Sequence, residues 1–455
     1  MKFILNISDI SPSEIYLLHT RNFSHFQKEI LGLYNDYPNK HKIVSLLDYW
    51  ILNIYSLKII YGENGLKSFI SSDFDNPQRF SFLYELSNQI VSKPPPRSKT
   101  NKTIFYIFKF FVTKILIPGA ALNSLYAKLL NRLSVNFIQT IPDDENSEIK
   151  NQIFKLLEEV LLENFSVSEI SKINEKLPKV FYSNVVNMPH NSKITIEGSC
   201  SSFFEFFGVE KLLLLNNKLR IEGYQHGGGY DVFKIDYFVE YEKKMSDIFY
   251  GWGFSKYNKS QHRFKKQKIR KNNRTEIKRV FWVEDSSIPS SYFPLMPYYY
   301  YQTKNRGNKS FVYNELNNSG INYSNLNHPS SKSNLYDDYR KDDYHVIGKG
   351  RSEDVILSED ILIFDNVGST LIHFAIENGN VFYLVINKND FDLFTNKQKE
   401  FFNLLRKYDF GIFSNEKNKL SNSILSVIGT NNYILPSEIV LFYNQIFLVS
   451  PSSEN

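Results

Sequence analysis

The spacing of apolar residues changes character near residue 190. Upstream, "FQKEILGLYND" (26–36), "HKIVSLLDYWILNIYSLKII" (41–60) and "EIKNQIFKLLEEVLLENF" (148–165) repeat apolar positions at intervals of three and four, which predicts helices over most of 12–180. Downstream, "SKITIEG" (192–198) and "NKLRIEGYQH" (217–226) are short extended runs, and the apolar "SSFFEFFGVEKLLLLNN" between them reads as a helix. Further extended runs follow at 278–287 (KRVFWVEDSS), 320–329 (GINYSNLNHP), 344–350 (YHVIGKG), 360–366 (DILIFDN), 379–387 (GNVFYLVIN) and 408–415 (YDFGIFSN), spaced by helix-length segments. Strands alternating with helices predict an α/β fold with a doubly wound, mostly parallel sheet, whose ligands sit beyond the carboxyl ends of the strands. The polar strand ends are therefore site candidates: Glu284 to Ser287, His328-Pro329, Gly348-Lys349-Gly350 and Asp365-Asn366.

The pattern divides the chain into a helical N-terminal region plus a first α/β domain (1–255), a charged segment (256–278) and a second α/β domain ending in a helix (279–455). The charged segment, "KYNKSQHRFKKQKIRKNNRTEIK", lacks apolar periodicity and reads as a solvated linker; nucleic-acid binding is its sharper alternative. At 455 residues and 42% hydrophobic content the chain has enough material for two or three cores. Its Phe, Tyr, Asn, Lys and Ile usage is what AT-rich codons favour, so a net charge of +6 says little about nucleic acid. The single cysteine, Cys200, excludes an internal disulfide and any multi-cysteine metal site, which fits a reducing compartment.

The start of the chain has no cationic region followed by a continuous apolar stretch and a small-residue cleavage site, and reads as a strand and turn. In "TIFYIFKFFVTKILIPGAAL" (103–122), Lys109, Lys114 and Pro118-Gly119 leave too short a clean stretch to span a bilayer, and the expectation is a buried or interfacial helix. The Pro-rich basic connector at 92–102 before it would suit an anionic membrane surface, a mobile loop being the plainer reading. The expected location is cytoplasmic, with peripheral contact at the inner face of the plasma membrane.

Two stretches carry candidate chemistry. "YQHGGGYD" (224–231) places three of the chain's 20 glycines side by side behind a histidine; glycine lets main chain approach a ligand closely, whereas a tight turn is the plainer reading. In "DILIFDNVGSTLIHFAIENG" (360–379) a buried strand runs into Asp365, and Gly368-Ser369-Thr370 open a helix. Backbone N–H groups and hydroxyls at a helix start suit a phosphate, while simple N-capping by Ser369 is the alternative. On that helix Thr370, His373 and Glu377 share a face. The paired acids of "YDDYRKDDY" (336–344) lie in a Tyr/Lys-rich connector and read as a solvated loop, so no metal site is expected. "PYYYYQ" (297–302) reads as aromatic packing before it reads as a sugar platform.

These stretches resemble a known group of enzymes. The 360–379 segment looks like the donor-binding strand and helix of GT-B glycosyltransferases and of CDP-glycerol-type polymer transferases, and "NHP" (327–329) resembles their phosphate-side His-Pro motif. "EGYQHGGGYDVFKIDYFVEYEKKMSDIFYGWGF" (222–254) is similar to a family of bacterial surface-glycan transferases with Gln-His-Gly-Gly, a downstream Glu, a Ser-Asp pair and Trp-Gly in that order; the likeness covers about 180–390.

The resemblance implies a GT-B-like fold, two Rossmann-type domains facing a cleft, and a metal-independent glycosyltransferase. Such an enzyme moves a sugar or polyol phosphate from a nucleotide-activated donor to a cell-surface glycan or its lipid-linked precursor, with no cofactor besides the donor co-substrate and no nucleic-acid partner. His226 would be the general base, with Asp231 and Glu240 (or Glu242) as acids beside it. Gln225, Gly227, Gly228, His328, Gly348, Asp365, Ser369, Thr370, His373 and Glu377 would surround the donor. Asp231 departs from the family's usual small residue, and His373 stands where many GT-B enzymes carry a ribose-binding acid, leaving Glu377 as its substitute. A sugar-nucleotide epimerase of similar architecture and a non-catalytic nucleotide- or glycan-binding protein are the rival classes.

Overall fold

The structure, a computed structural model, describes residues 23, 26–71, 114–116, 145–177, 179–185, 194–198, 213–214, 219–225, 229–234, 236–251, 259–260, 278–283, 306–326, 352–430 and 434–447. The chain forms two compact units: 1–226 with 238–250, and 227–237 with 251–455. The segment after the glycine run thus belongs to the second unit although the sequence around it belongs to the first.

In the first unit the apolar period at 41–60 becomes α1 (Lys40–Ser71), and the 148–165 pattern becomes α2 (Ser147–Leu161), followed by α3 (Val167–Glu175). Asn146 caps α2 by accepting from the N–H of Ile149 at 3.1 Å. The tyrosine-rich face around α1 packs as an apolar layer whose hydroxyls find carbonyls, Tyr34 donating to Phe181 O at 2.7 Å and Tyr37 to Ser183 O at 2.9 Å. Four strands, β1 (Lys114–Leu116), β2 (Ile194–Gly198), β3 (Leu219–Tyr224) and β4 (Ile248–Gly251), pair in parallel in that order. Helix α4 (Tyr237–Met245) connects to β4, and Tyr241 on it stacks on Tyr49 of α1 with centroids 4.4 Å apart. The helix expected over 103–122 is corrected at its described residues: 114–116 is a strand, paired with β2. A Lys-Ile-Leu run beside a proline has no strong helical preference of its own, and an available parallel edge decides its state.

The second unit contains β5 (Val280–Val283), α5 (Arg306–Asn318), β6 (Ser324–Leu326), β7 (Ile361–Phe364), α6 (Thr370–Asn378), β8 (Val381–Ile386), α7 (Asn396–Lys407), β9 (Gly411–Phe413), α8 (Lys419–Ile428) and α9 (Ser437–Phe447). All five strands are parallel, in the order β9-β8-β7-β5-β6. Every residue of β5, β7 and β8 is buried, as expected when helices cover both faces of a parallel sheet. Two of the crossover helices carry local caps. Ser369 caps α6, Gly379 ends it at φ +76°, and Thr395 caps α7. Helix α8 starts differently: Asn418 sits in the left-handed region, and Glu315, reaching over from α5, accepts from Asn418 N (2.7 Å), Ser421 N (3.2 Å) and Ser421 Oγ (3.0 Å). A buried carboxylate of the chain itself thereby occupies the positive end of that helix. Arg279, at the entry to β5, forks onto Asp360 at 2.8 and 2.6 Å before β7. No helix among the described residues is long and apolar enough to cross a membrane.

Glu315→Ala leaves three donors at the start of α8 without their acceptor; it is expected to lower stability by about 2 kcal/mol, read by urea denaturation, with the fold retained by circular dichroism.

Candidate functional site

The strand order of the second unit reverses at β5. From β5 the chain passes to β6 on one side, then returns to place β7, β8 and β9 successively on the other. The carboxyl ends of β5 and β7 therefore form the switch point, where doubly wound sheets bind ligands. The turn leaving β7 is compact. Asn366 Oδ1 accepts from Gly368 N at 2.7 Å, Ser369 Oγ accepts from Leu371 N at 3.3 Å, and Gly368, Ser369 and Thr370 stay half-buried at the start of α6. Ser369 is thus an N-cap, as the plainer reading has it, and Thr370 is the first residue of the helix.

Gly229, the last of the three glycines, lies beside this turn: a Cβ built on it would stand 3.7 Å from Gly368 Cα. The strap that carries it is stitched to the segment after β8. Val232 O accepts from Thr395 N (2.9 Å), Lys234 N donates to Leu393 O (2.9 Å), Asp231 O accepts from Thr395 Oγ1 (2.8 Å), and Phe233 bridges antiparallel to Phe394 with rings 5.5 Å apart. Asp231 takes a left-handed conformation, φ +61°, which Asp tolerates better than most residues. Two glycine-bearing turns, far apart in sequence, therefore bring main chain together at the carboxyl edge of one sheet.

Other candidates go elsewhere. Asp365 is fully buried, and its Oδ2 accepts from Trp282 Nε1 at 3.1 Å and from Lys309 Nζ at 3.0 Å. His373 is buried with Nδ1 2.8 Å from the Tyr443 hydroxyl of α9. Burial holds the Glu377 carboxyl at about 7, and burial together with that carboxylate pushes the Tyr443 hydroxyl up. The polar stripe on α6 is real but divided: Thr370 stands at the turn, while His373 and Glu377 lie about 4 and 10 Å further along the axis, with His373 against α9. Gln225, in the first unit, is buried and extends the β3–β4 pairing by donating its N–H to Tyr250 O at 2.9 Å. Glu240 is exposed on α4 with Lys243 3.4 Å away, whereas Glu242 is fully buried. Asp247, of the Ser-Asp pair, braces β3: Oδ2 accepts from Ile221 N at 2.7 Å and its own N–H donates to Ile221 O at 2.8 Å. His226, Gly227, Gly228, His328 and Gly348 lie outside the described residues.

Sequence reasoning missed Lys309 and Asn308, which reach the end of β7 from the first turn of α5. The available signal was a helix following a strand of the same sheet, whose first turn returns to the carboxyl edge. Among the described residues no three His, Cys, Asp or Glu side chains gather as a metal-ligand set. No protein-family model matches the chain, and neither a curated protein nor a solved structure matches it.

The raised Glu377 carboxyl makes stability depend on pH. The folded chain keeps a proton that the unfolded chain releases at the ordinary carboxylate value, so stability falls as pH rises from about 4.5 to about 7, and the loss is complete above that. Glu377→Gln is expected to match the parent protein near pH 4.5 and exceed it at pH 8 by on the order of 1 kcal/mol, solvent screening at a half-exposed side chain keeping the gain small. Urea denaturation at the two pH values checks both sign and size.

Proposed function

We propose that the chain is a glycosyltransferase of GT-B-like design, transferring a sugar or polyol phosphate from a nucleotide-activated donor to a cell-surface glycan or its precursor at the cytoplasmic side of the membrane. In this reading the two α/β units are its Rossmann-type halves and the second holds the donor. The observation that carries it is the approach of Gly229 to Gly368 at the start of α6, on the edge where the strand order reverses. Side-chain-free backbone at a helix start favours a diphosphate: N–H groups meet its oxygens, the helix dipole favours its charge, and nothing bulky keeps it away. Ser369 and Thr370 supply hydroxyls at the same place.

The reaction needs a group that takes the proton of an acceptor hydroxyl while the donor phosphate departs with the negative charge. His226, three residues before Gly229, is of the right type, because an imidazole is neutral and basic near pH 7. The departing phosphate would be stabilised at the start of α6. Of the acids named from sequence, Glu240 is turned to solvent beside Lys243, which favours Asp231 as the acid near the glycine strap.

The test is a thermal-shift panel of CMP-, CDP-, UDP-, GDP- and dTDP-linked compounds; a ligand at a hundred times its dissociation constant adds about 2.7 kcal/mol of stability. One nucleotide class is expected to stand out, and a flat response across the panel rejects the reading. With that nucleotide, His226→Ala is expected to lower turnover by about 10²- to 10⁴-fold while sparing donor affinity, and equal turnover removes His226 from the chemistry. The Ser369→Ala, Thr370→Ala double variant is expected to bind it more weakly, by about 1.5–3 kcal/mol for each bond lost to a charged group; unchanged calorimetric affinity leaves Ser369 as a cap alone.

A further inference from the structure

The turn that carries Gly229 is closed by a long hydrogen bond, Val232 N donating to Gly229 O at 3.4 Å. Within it Asp231 sits at φ +61°, a left-handed conformation that costs a residue with a side chain free energy and persists only where the surroundings enforce it. Such a turn needs support from outside itself.

Thr395 supplies that support with its polar groups. Its N–H donates to Val232 O at 2.9 Å, and its hydroxyl donates at 2.8 Å to Asp231 O, the carbonyl of the left-handed residue. The same hydroxyl oxygen accepts from Gln398 N at 3.3 Å, which is the capping bond of α7. A hydroxyl donates and accepts at once. One side chain thereby fastens the turn to the start of a helix whose inner face, Phe401, Phe402 and Leu405, is buried in the core. Capping alone does not call for this arrangement: Asp or Asn caps a helix at least as well as Thr, but an ionised Asp has no proton to give the Asp231 carbonyl. The far end of the fastened turn is Gly229, where an added Cβ would stand 3.7 Å from Gly368 Cα.

We propose that Thr395 is a positioning residue of the donor site: its hydroxyl holds the 229–232 turn against the start of α6 in the free chain, so that the turn is already ordered when the donor arrives. This rests on the donor reading above and adds what fixes the glycine strap in place. Thr395 acts through the strap and not by contact with the donor. A segment ordered beforehand removes an ordering cost from binding, and loosening it returns that cost.

The experiment compares the full-length chain with Thr395→Val, which keeps the shape and the main-chain bond but loses the hydroxyl, and with Thr395→Ser, which restores it. Hydrogen exchange without nucleotide reads the strap, and calorimetry well below the melting temperature reads affinity for the nucleoside diphosphate giving the largest shift in the panel. In Thr395→Val the amides of 229–234 are expected to exchange about fivefold faster and the nucleotide to bind about fivefold more weakly, the size of one ordinary hydrogen bond. Thr395→Ser is expected to match the parent in both. Should valine prevent folding, Thr395→Ala is read in its place. Affinity equal to the parent's in the variant lacking the hydroxyl overturns the assignment and leaves the nucleotide reading intact. Faster exchange confined to the first turn of α7 also overturns it and makes Thr395 a cap alone. Serine that fails to restore affinity overturns it too, because the hydroxyl is then not the agent. A parent chain that binds no nucleotide removes the donor reading and this proposal with it.

Discussion

The second unit is organised around a carboxylate that water does not reach. Asp365 ends β7 with no solvent exposure, and an isolated charge there would cost several kcal/mol. Lys309 and Trp282 make it tolerable, and each belongs to a different element, so neutralising one side chain ties α5, β5 and β7 together at their common edge. Loss of either charge would break a buried ion pair, a penalty on the order of 3–5 kcal/mol. The position of the first turn of α5, and with it Asn308, follows from this pairing.

The same edge is reached from a distant part of the sequence. The strap after the glycine run is fastened to residues 393–395 by main-chain hydrogen bonds and by the Phe233–Phe394 contact, which sets Gly229 against Gly368. Without side chains at these two positions, backbone can stand at contact distance. The positive end of α8, by contrast, is taken up by the chain's own Glu315. Identical helix electrostatics thus serve the fold at α8, and in the proposed reading serve the donor phosphate at α6.

Titration adds a second layer. Glu377, His373 and Tyr443 form a polar cluster on the side of α6 facing α9. Burial there favours the uncharged form of the Glu377 carboxyl.

Much of this was written in the local sequence. Periods of three and four gave α1 and α2, continuous apolar runs gave β5, β7 and β8, and Gly368-Ser369-Thr370 announced the start of α6, because these depend on the pattern of one segment. Residues 114–116 read as helix and fold as strand, since so short a run takes its state from the strand it pairs with. The polar stripe of α6 was visible at Thr370, His373 and Glu377, but only the packing of α9 decided that His373 meets Tyr443. Asp365 was legible as the end of a buried strand, yet its partner Lys309 lies 56 positions earlier. The glycine run was legible as main chain approaching a ligand or as a tight turn; that its last residue, Gly229, lies beside Gly368 was not. Gly368 and residues 393–395 are more than a hundred positions away, and pairings at that range are set by the energy of the assembled core, which no local pattern encodes.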